Sequence, residues 1–233
     1  MNSRSEYYEA RLYPLQDGIL RFVSECNTEF FLTGGTAINR GFFRRRYSDD
    51  LDFFLSGAAN FVEQTESILR GLEGSGFDID DSSGTLKTSD FCTIVVFDRS
   101  HPDIRLKLDF VNDIAVHFGG FVSTSVFPKT DSLRNMLSNK VTALFRFEAK
   151  DVADIHTICS NLAFSWPEII DEARQKESGV EAPLMAEILT GIPKEDFMSI
   201  RWTVQPSWDD FRRDLDRIAE DIIRGRNNSQ LVT

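Results

Sequence analysis

Residues 31–55, FLTGGTAINRGFFRRRYSDDLDFFL, decide how this chain folds. Phe30 to Leu32 is apolar and reads as a strand, and Gly34-Gly35 breaks it where the backbone must turn tightly or lie close to a ligand. One or two helical turns over Thr36 to Phe43, a basic loop, and a second strand from Leu51 to Leu55 follow. Asp50 and Asp52 are two residues apart, so on a strand they share a face, about 6–7 Å apart along the backbone. Asp49 points the other way. Two carboxylates on one face can share a divalent cation. The turn Thr33-Gly34-Gly35-Thr36 opens a helix, where unpaired N–H groups and the macrodipole favour an anion such as phosphate.

On the N-terminal side, Leu12, Leu15, Ile19, Phe22 and Val23 recur at helical spacing, with Pro14 expected near the first turn. On the C-terminal side, a helix is expected from Asn60 to Leu72, ended by Gly74 and Gly76. Residues 77–110 read as strands, with a turn at Ser82-Ser83-Gly84 and a buried strand over Phe91 to Phe97. In the stretch from Ile104 to Phe110 the period is two: Ile104, Leu106, Leu108 and Phe110 take one face, and Arg105, Lys107 and Asp109 the other. In isolation this is a solvent-facing strand of mixed charge. Beside the earlier aspartates, its cations could hold phosphate oxygens or simply keep Asp109 ionised.

From Asp131 the pattern turns helical. Leu133, Leu137, Val141 and Leu144 mark one helix, and Val152, Ile155, Ile158 and Leu162 a second. Ser165-Trp166-Pro167-Glu168 has the form of a capping box with proline in the first turn. A short helix is expected over Pro183 to Leu189, and a final one capped by Ser207 with Trp208, Phe211, Leu215, Ile218 and Ile222 on its apolar face. The fold class is therefore α+β: a mixed-sheet core with an N-terminal helix over 1–125, a helical domain over 126–226, and a fraying tail over 227–233.

The chain of 233 residues is long enough to bury a core without staples. Its three cysteines are distant and form no CxxC, which encodes neither a disulfide framework nor a zinc site. With no run of about 18 apolar residues, a cytoplasmic protein without a membrane partner is expected. A net charge of −11 argues against coating nucleic acid through an overall field. Screening over about 8–10 Å still lets Arg40, Arg44, Arg45 and Arg46 act locally. Alone they read as a solvated helix end; placed between the glycines and the aspartates, they read as part of a site. His101, His117 and His156 have no second histidine at ligand spacing and read as structural.

Taken in order, strand, Gly-Gly-Thr turn, helix, Asp50-Leu51-Asp52-Phe53 and Leu108-Asp109-Phe110 resemble the DNA polymerase β-like nucleotidyltransferases. LTGGTAINR followed by RRYSDDLDFF is similar, more narrowly, to the AbiEii/AbiGii-type toxin nucleotidyltransferases, with Arg46-Tyr47-Ser48-Asp49-Asp50-Leu51-Asp52 as the lead-in to the second strand. Lys140 and Arg146 match that family's K-x5-R spacing, and Lys150-Asp151-Val152-Ala153-Asp154 resembles its later acidic motif. Val141 stands where some members have tryptophan.

The resemblance implies transfer of NMP from an NTP to a hydroxyl on RNA, tRNA or protein, with a cognate antitoxin as partner. Asp50, Asp52 and Asp109 would be catalytic and would hold Mg2+ or Mn2+ in a two-metal mechanism. Gly34, Gly35 and the Thr36 hydroxyl would bind phosphates, with Lys140 and Arg146 as further nucleotide contacts. On one continuous helix the last two stand about 120° apart and would not face one ligand together. Arg46 and Ser48 are further candidates. Asp154 is another, although an i,i+4 pair with Lys150 is its expected role. The alternatives are a non-catalytic nucleotide- or partner-binding module of this fold, and a small-molecule nucleotidyltransferase of the antibiotic-modifying kind.

Overall fold

The computed structural model describes residues 3–231 apart from 81 and 83, so Ser83 of the expected turn and the last two residues of the tail lie outside the described residues. The chain divides into two compact units, Met1–Asp131 and Ser132–Thr233.

The first unit opens with helix α1 (Ser3–Tyr7), a wide π turn (Tyr8–Leu12) and α2 (Tyr13–Glu25). The backbone stays helical across both junctions, so Pro14 sits inside the run and not at its start. Proline lacks an N–H, and its ring crowds the carbonyl four residues back; a π turn at that point relieves both problems. Only Tyr8 and Leu12 are buried in the π turn, too few apolar positions to show a helical period in the sequence.

Strand β1 (Phe31–Thr33) leads into α3 (Gly34–Thr36), which continues as a π turn over Ala37–Phe43 and stops at Arg44 in the left-handed region. The helix begins at Gly34, two residues before the expected start. Strand β2 (Leu51–Ser56), helix α4 (Phe61–Gly74), β3 (Phe77–Ile79), β4 (Leu86–Lys87), β5 (Phe91–Asp98) and β6 (His101–Asp113) complete the layout. The sheet order is β1-β2-β6-β5-β3, with β4 also on β5. Among the named strands β2 and β6 pair in parallel and the other pairs are antiparallel. Further on, residues 129–131 run beside β1, with Leu32 N–H donating to Lys129 O and Asp131 N–H to Leu32 O, both at 2.9 Å.

Alternation along β2 and β6 settles which way the sheet faces. Leu51, Phe53 and Leu55 are buried, as are Ile104, Leu106, Leu108 and Phe110, while Asp52 and Asp109 on the other face are part-exposed. Phe110 packs against Phe30 and Phe53, whose ring centroids lie 5.2 and 5.4 Å away. Each such ring removes enough apolar surface from water to contribute about 1.5–3 kcal/mol. The apolar face thus fixes the register that sets the aspartates side by side.

The second unit is helical: α5 (Leu133–Ala143) with a 3-10 turn over Leu144–Arg146, α6 (Ala149–Cys159), α7 (Trp166–Lys176), α8 (Ala182–Gly191), α9 (Lys194–Ser199) and α10 (Trp208–Ile223). Ser207 caps α10 by accepting from Asp210 N–H, with Asp209 and Asp210 favourably placed in the first turn. Ser165 begins α7 but makes no side-chain cap bond, and Glu168 reaches Arg134 instead, so the capping box is not formed.

Helix α9 lies beyond the helices expected from the apolar pattern, after Gly191 and Pro193, residues that ordinarily end a helix. Pro193 in fact precedes its first turn, and Phe197 anchors it against Trp202 and Phe211. The fraying tail is also corrected for residues 227–231. Asn228 donates to Cys159 O and Leu162 O at 2.7 and 2.8 Å, Ser229 Oγ to Asp221 at 2.7 Å, and Gln230 is buried.

Candidate active site

One row of residues crosses the polar face of the sheet in register: Thr33 on β1, Asp52 on β2, Asp109 on β6 and Thr93 on β5. Paired residues on neighbouring strands stand about 5 Å apart, so Asp52 and Asp109 are adjacent although 57 positions separate them in sequence. Asp50 lies one residue before β2, its carbonyl held by the Thr36 hydroxyl at 2.5 Å.

Lys107, two residues before Asp109 and on the same face, reaches Asp109 Oδ2 at 2.6 Å. Partial burial pulls the pKa of this lysine down. The hydrogen bond to Asp109 and the fields of Asp109, Asp50 and Asp52 outweigh that and leave it raised. All three predicted carboxylates therefore act on one ammonium. The second oxygen, Asp109 Oδ1, is buried with no hydrogen-bond partner. An unpartnered buried carboxylate oxygen is costly and suits a cationic ligand. Among the described residues no three His, Cys, Asp or Glu side chains are gathered closely enough to hold a metal as they stand; a lysine stands among the acidic ones. The other strand cation, Arg105, is turned to Asp80 at 3.1 Å and lies over the Phe97 ring.

The glycine turn is built against these carboxylates. Gly34 has φ +69, and a Cβ there would lie 2.1 Å from Asp52 Oδ2. A Cβ on Gly35 would lie 2.6 Å from an Arg46 guanidinium nitrogen and 3.0 Å from Ser48 Oγ. Gly34 requires glycine for its conformation, and a Cβ at Gly35 would push the Arg46 guanidinium aside.

Several expected ligand contacts have other work. Thr36 is fully buried and spends its hydroxyl on the Asp50 backbone, so it positions a carboxylate and does not offer that hydroxyl to phosphate. Arg46 and Ser48 are buried beneath the turn: Arg46 donates to Tyr47 O at 3.1 Å, and the Ser48 backbone carbonyl, not its hydroxyl, accepts from Gln16 at 3.0 Å. Arg40 binds Gln16 and Asp17 and stacks over Tyr13. Arg44 and Arg45 are exposed. Asp49 faces away, as expected, and accepts from Tyr8 at 2.5 Å.

Lys140 and Arg146 belong to the second unit, where they meet carboxylates. Lys140 Nζ lies 2.5 Å from Asp151 and 2.8 Å from Asp154, and Arg146 lies 3.8 Å from the other oxygen of Asp151. Helix α5 ends at Ala143, and the 3-10 turn redirects Arg146, so the expected 120° separation does not hold and both cations converge on Asp151. Asp154 is fully buried on Lys140, while Lys150 is exposed, so the expected surface pair with Lys150 is replaced by an interior one.

One residue that braces the turn carries no signal in the sequence. Asp131, fully buried, accepts from Thr33 Oγ1 at 2.7 Å and lies 2.9 Å from His117 Nε2. It thereby ties the residue before the glycine turn to a segment 98 positions away. Its setting in a Ser/Thr-rich connection carries no periodicity that could have marked it. His117, edge-on to Phe31, is structural as expected.

A family model described as nucleotidyl transferase AbiEii toxin, type IV toxin–antitoxin system, matches residues 21–228. No curated protein sequence matches the chain. Among solved structures the chain resembles MenT4, a nucleotidyltransferase toxin from Mycobacterium tuberculosis, with TM-score 0.70 and 17% identity over 95% of this chain and 86% of that one. It also resembles JHP933 from Helicobacter pylori, with TM-score 0.57 and 16% identity over 92% and 91% of the two chains. At such identities these likenesses establish the shared α+β fold. No helix among the described residues is long and apolar enough to cross a membrane.

Proposed function

The chain belongs to the AbiEii family of nucleotidyltransferase toxins, and on that premise we propose that it transfers NMP from an NTP to a hydroxyl of RNA or protein, using the carboxylate face of its sheet. The hydroxyl oxygen attacks the α-phosphorus, the bond to the bridging oxygen breaks, and pyrophosphate leaves. Asp109 takes the hydroxyl proton, and Asp50 and Asp52 complete a set of hard oxygen donors suited to Mg2+ or Mn2+. Divalent metal bound there supplies charge neutralisation at the phosphates and activation of the acceptor hydroxyl. The backbone N–H groups opened by Gly34 and Gly35 face the triphosphate at a helix start. A cognate antitoxin would be the partner that restrains this activity.

The observation that carries this reading is the registered Asp52–Asp109 pair, with Asp109 Oδ1 buried and unpartnered. Its test is incubation of purified protein with Mg2+ and each of four labelled NTPs, against total RNA and total protein separately, with Asp52→Ala as control. Label in one acceptor pool, lost in the variant, is the expected result. Metal-dependent NTP binding without transfer to any acceptor would instead make the chain a binding module, and no binding at all would discard the site.

A further inference from the structure

Strand alternation forces Lys107 onto the same face as Asp109, and the pair closes at 2.6 Å. The ammonium stands within the field of three carboxylates, two of which, Asp52 and Asp109, are register partners on adjacent strands. It satisfies only one oxygen of Asp109, leaving Oδ1 buried and bare. The lysine side chain is 46% exposed, so its flexible stem can leave without unpacking any core. Arg105, the neighbouring cation on that face, is committed to Asp80 and Phe97 and does not share this position.

We propose that Lys107 is a resident countercation of the carboxylate face: in the free protein it neutralises Asp109 and lowers the affinity for a bare divalent ion, and it moves to a phosphate oxygen when metal arrives with the triphosphate. This rests on the carboxylate reading given above. The lysine acts as a positioning residue that couples metal uptake to nucleotide uptake. It makes the metal a poor ligand alone and a good one in company.

The test is a binding measurement and needs no turnover. Mn2+ affinity is measured by electron paramagnetic resonance of the free ion for wild type, Lys107→Met, Lys107→Arg and Asp52→Asn, with and without an α,β-methylene NTP analogue. Removing one positive charge about 4 Å from a bound dication should raise the affinity for Mn2+ alone about tenfold or more. Lys107→Arg should stay near wild type, and Lys107→Met should bind the Mn2+-analogue pair more weakly than wild type. Equal or weaker binding of Mn2+ alone by Lys107→Met, with Asp52→Asn clearly impaired, overturns the role of the lysine and leaves the carboxylate site standing. Binding that Asp52→Asn does not change overturns the site, and this inference with it. Thermal melts of the variants confirm that each is folded.

Discussion

Lysines 107 and 140 each hold aspartates, one at a half-open sheet face and the other in the interior of the helical unit. At the sheet face the exposed ammonium of Lys107 pairs with Asp109 and lies in the fields of Asp50 and Asp52, in a half-open position. In the helical unit two carboxylates meet Lys140 and Arg146, with Lys140, Asp151 and Asp154 nearly or fully buried. Each set also has a buried carboxylate oxygen without a hydrogen bond, Asp109 Oδ1 and Asp151 Oδ2. Only the second has an arginine standing by, at 3.8 Å. A buried, closely paired set contributes to keeping a fold in one arrangement, whereas a half-open one whose lysine can swing away is accessible to a ligand that brings positive charge.

The contrast is broken most directly by removing each set's key member. Lys140→Met removes the buried cation between Asp151 and Asp154, leaving Arg146 at 3.8 Å from Asp151, and should destabilise the protein by about 3–5 kcal/mol, read by urea denaturation. A midpoint equal to wild type would mean that the interior set is not structural. Asp52→Asn should do the reverse: transfer falls about 10³-fold while stability shifts by less than about 1 kcal/mol. Loss of folding in that variant would erase the distinction.

Gly34→Ala tests the turn that faces Asp52. The strained φ should cost about 1–3 kcal/mol, and the methyl group must displace the carboxylate, so transfer should vanish from protein that still melts cooperatively. The smallest effect is expected from Arg44→Gln with Arg45→Gln. If these exposed arginines steer an anionic substrate, KM should rise about threefold at low salt, and the difference should close as salt is added. A difference that does not depend on salt would make them ordinary surface.

What was legible in the sequence followed from period two. Alternation on β2 and β6 put Asp52, Lys107 and Asp109 on the polar face, because every second residue of those strands must enter an apolar core, whereas Asp50 lies just ahead of β2 and is held by Thr36 instead. The glycine turn was legible because a left-handed backbone such as that of Gly34 favours glycine. What stayed hidden depends on single long-range polar contacts. Asp131 joins Thr33 across 98 positions, Thr36 gives its hydroxyl to a backbone carbonyl, and Asn228 and Ser229 anchor a tail with almost no apolar content. The convergence of Lys140 and Arg146 was hidden because it depends on a helix ending at Ala143, which periodicity alone does not mark.

The close approach of Gly34 to Asp52 also has a genetic consequence. Every amino-acid change at a glycine codon adds a Cβ, and here any Cβ meets the carboxylate on which the proposed reaction depends. In a host harmed by this protein, spontaneous escape mutants should therefore gather at codon 34, where nearly the whole mutational spectrum disarms the enzyme while leaving a folded chain for an antitoxin or an immune serum to recognise.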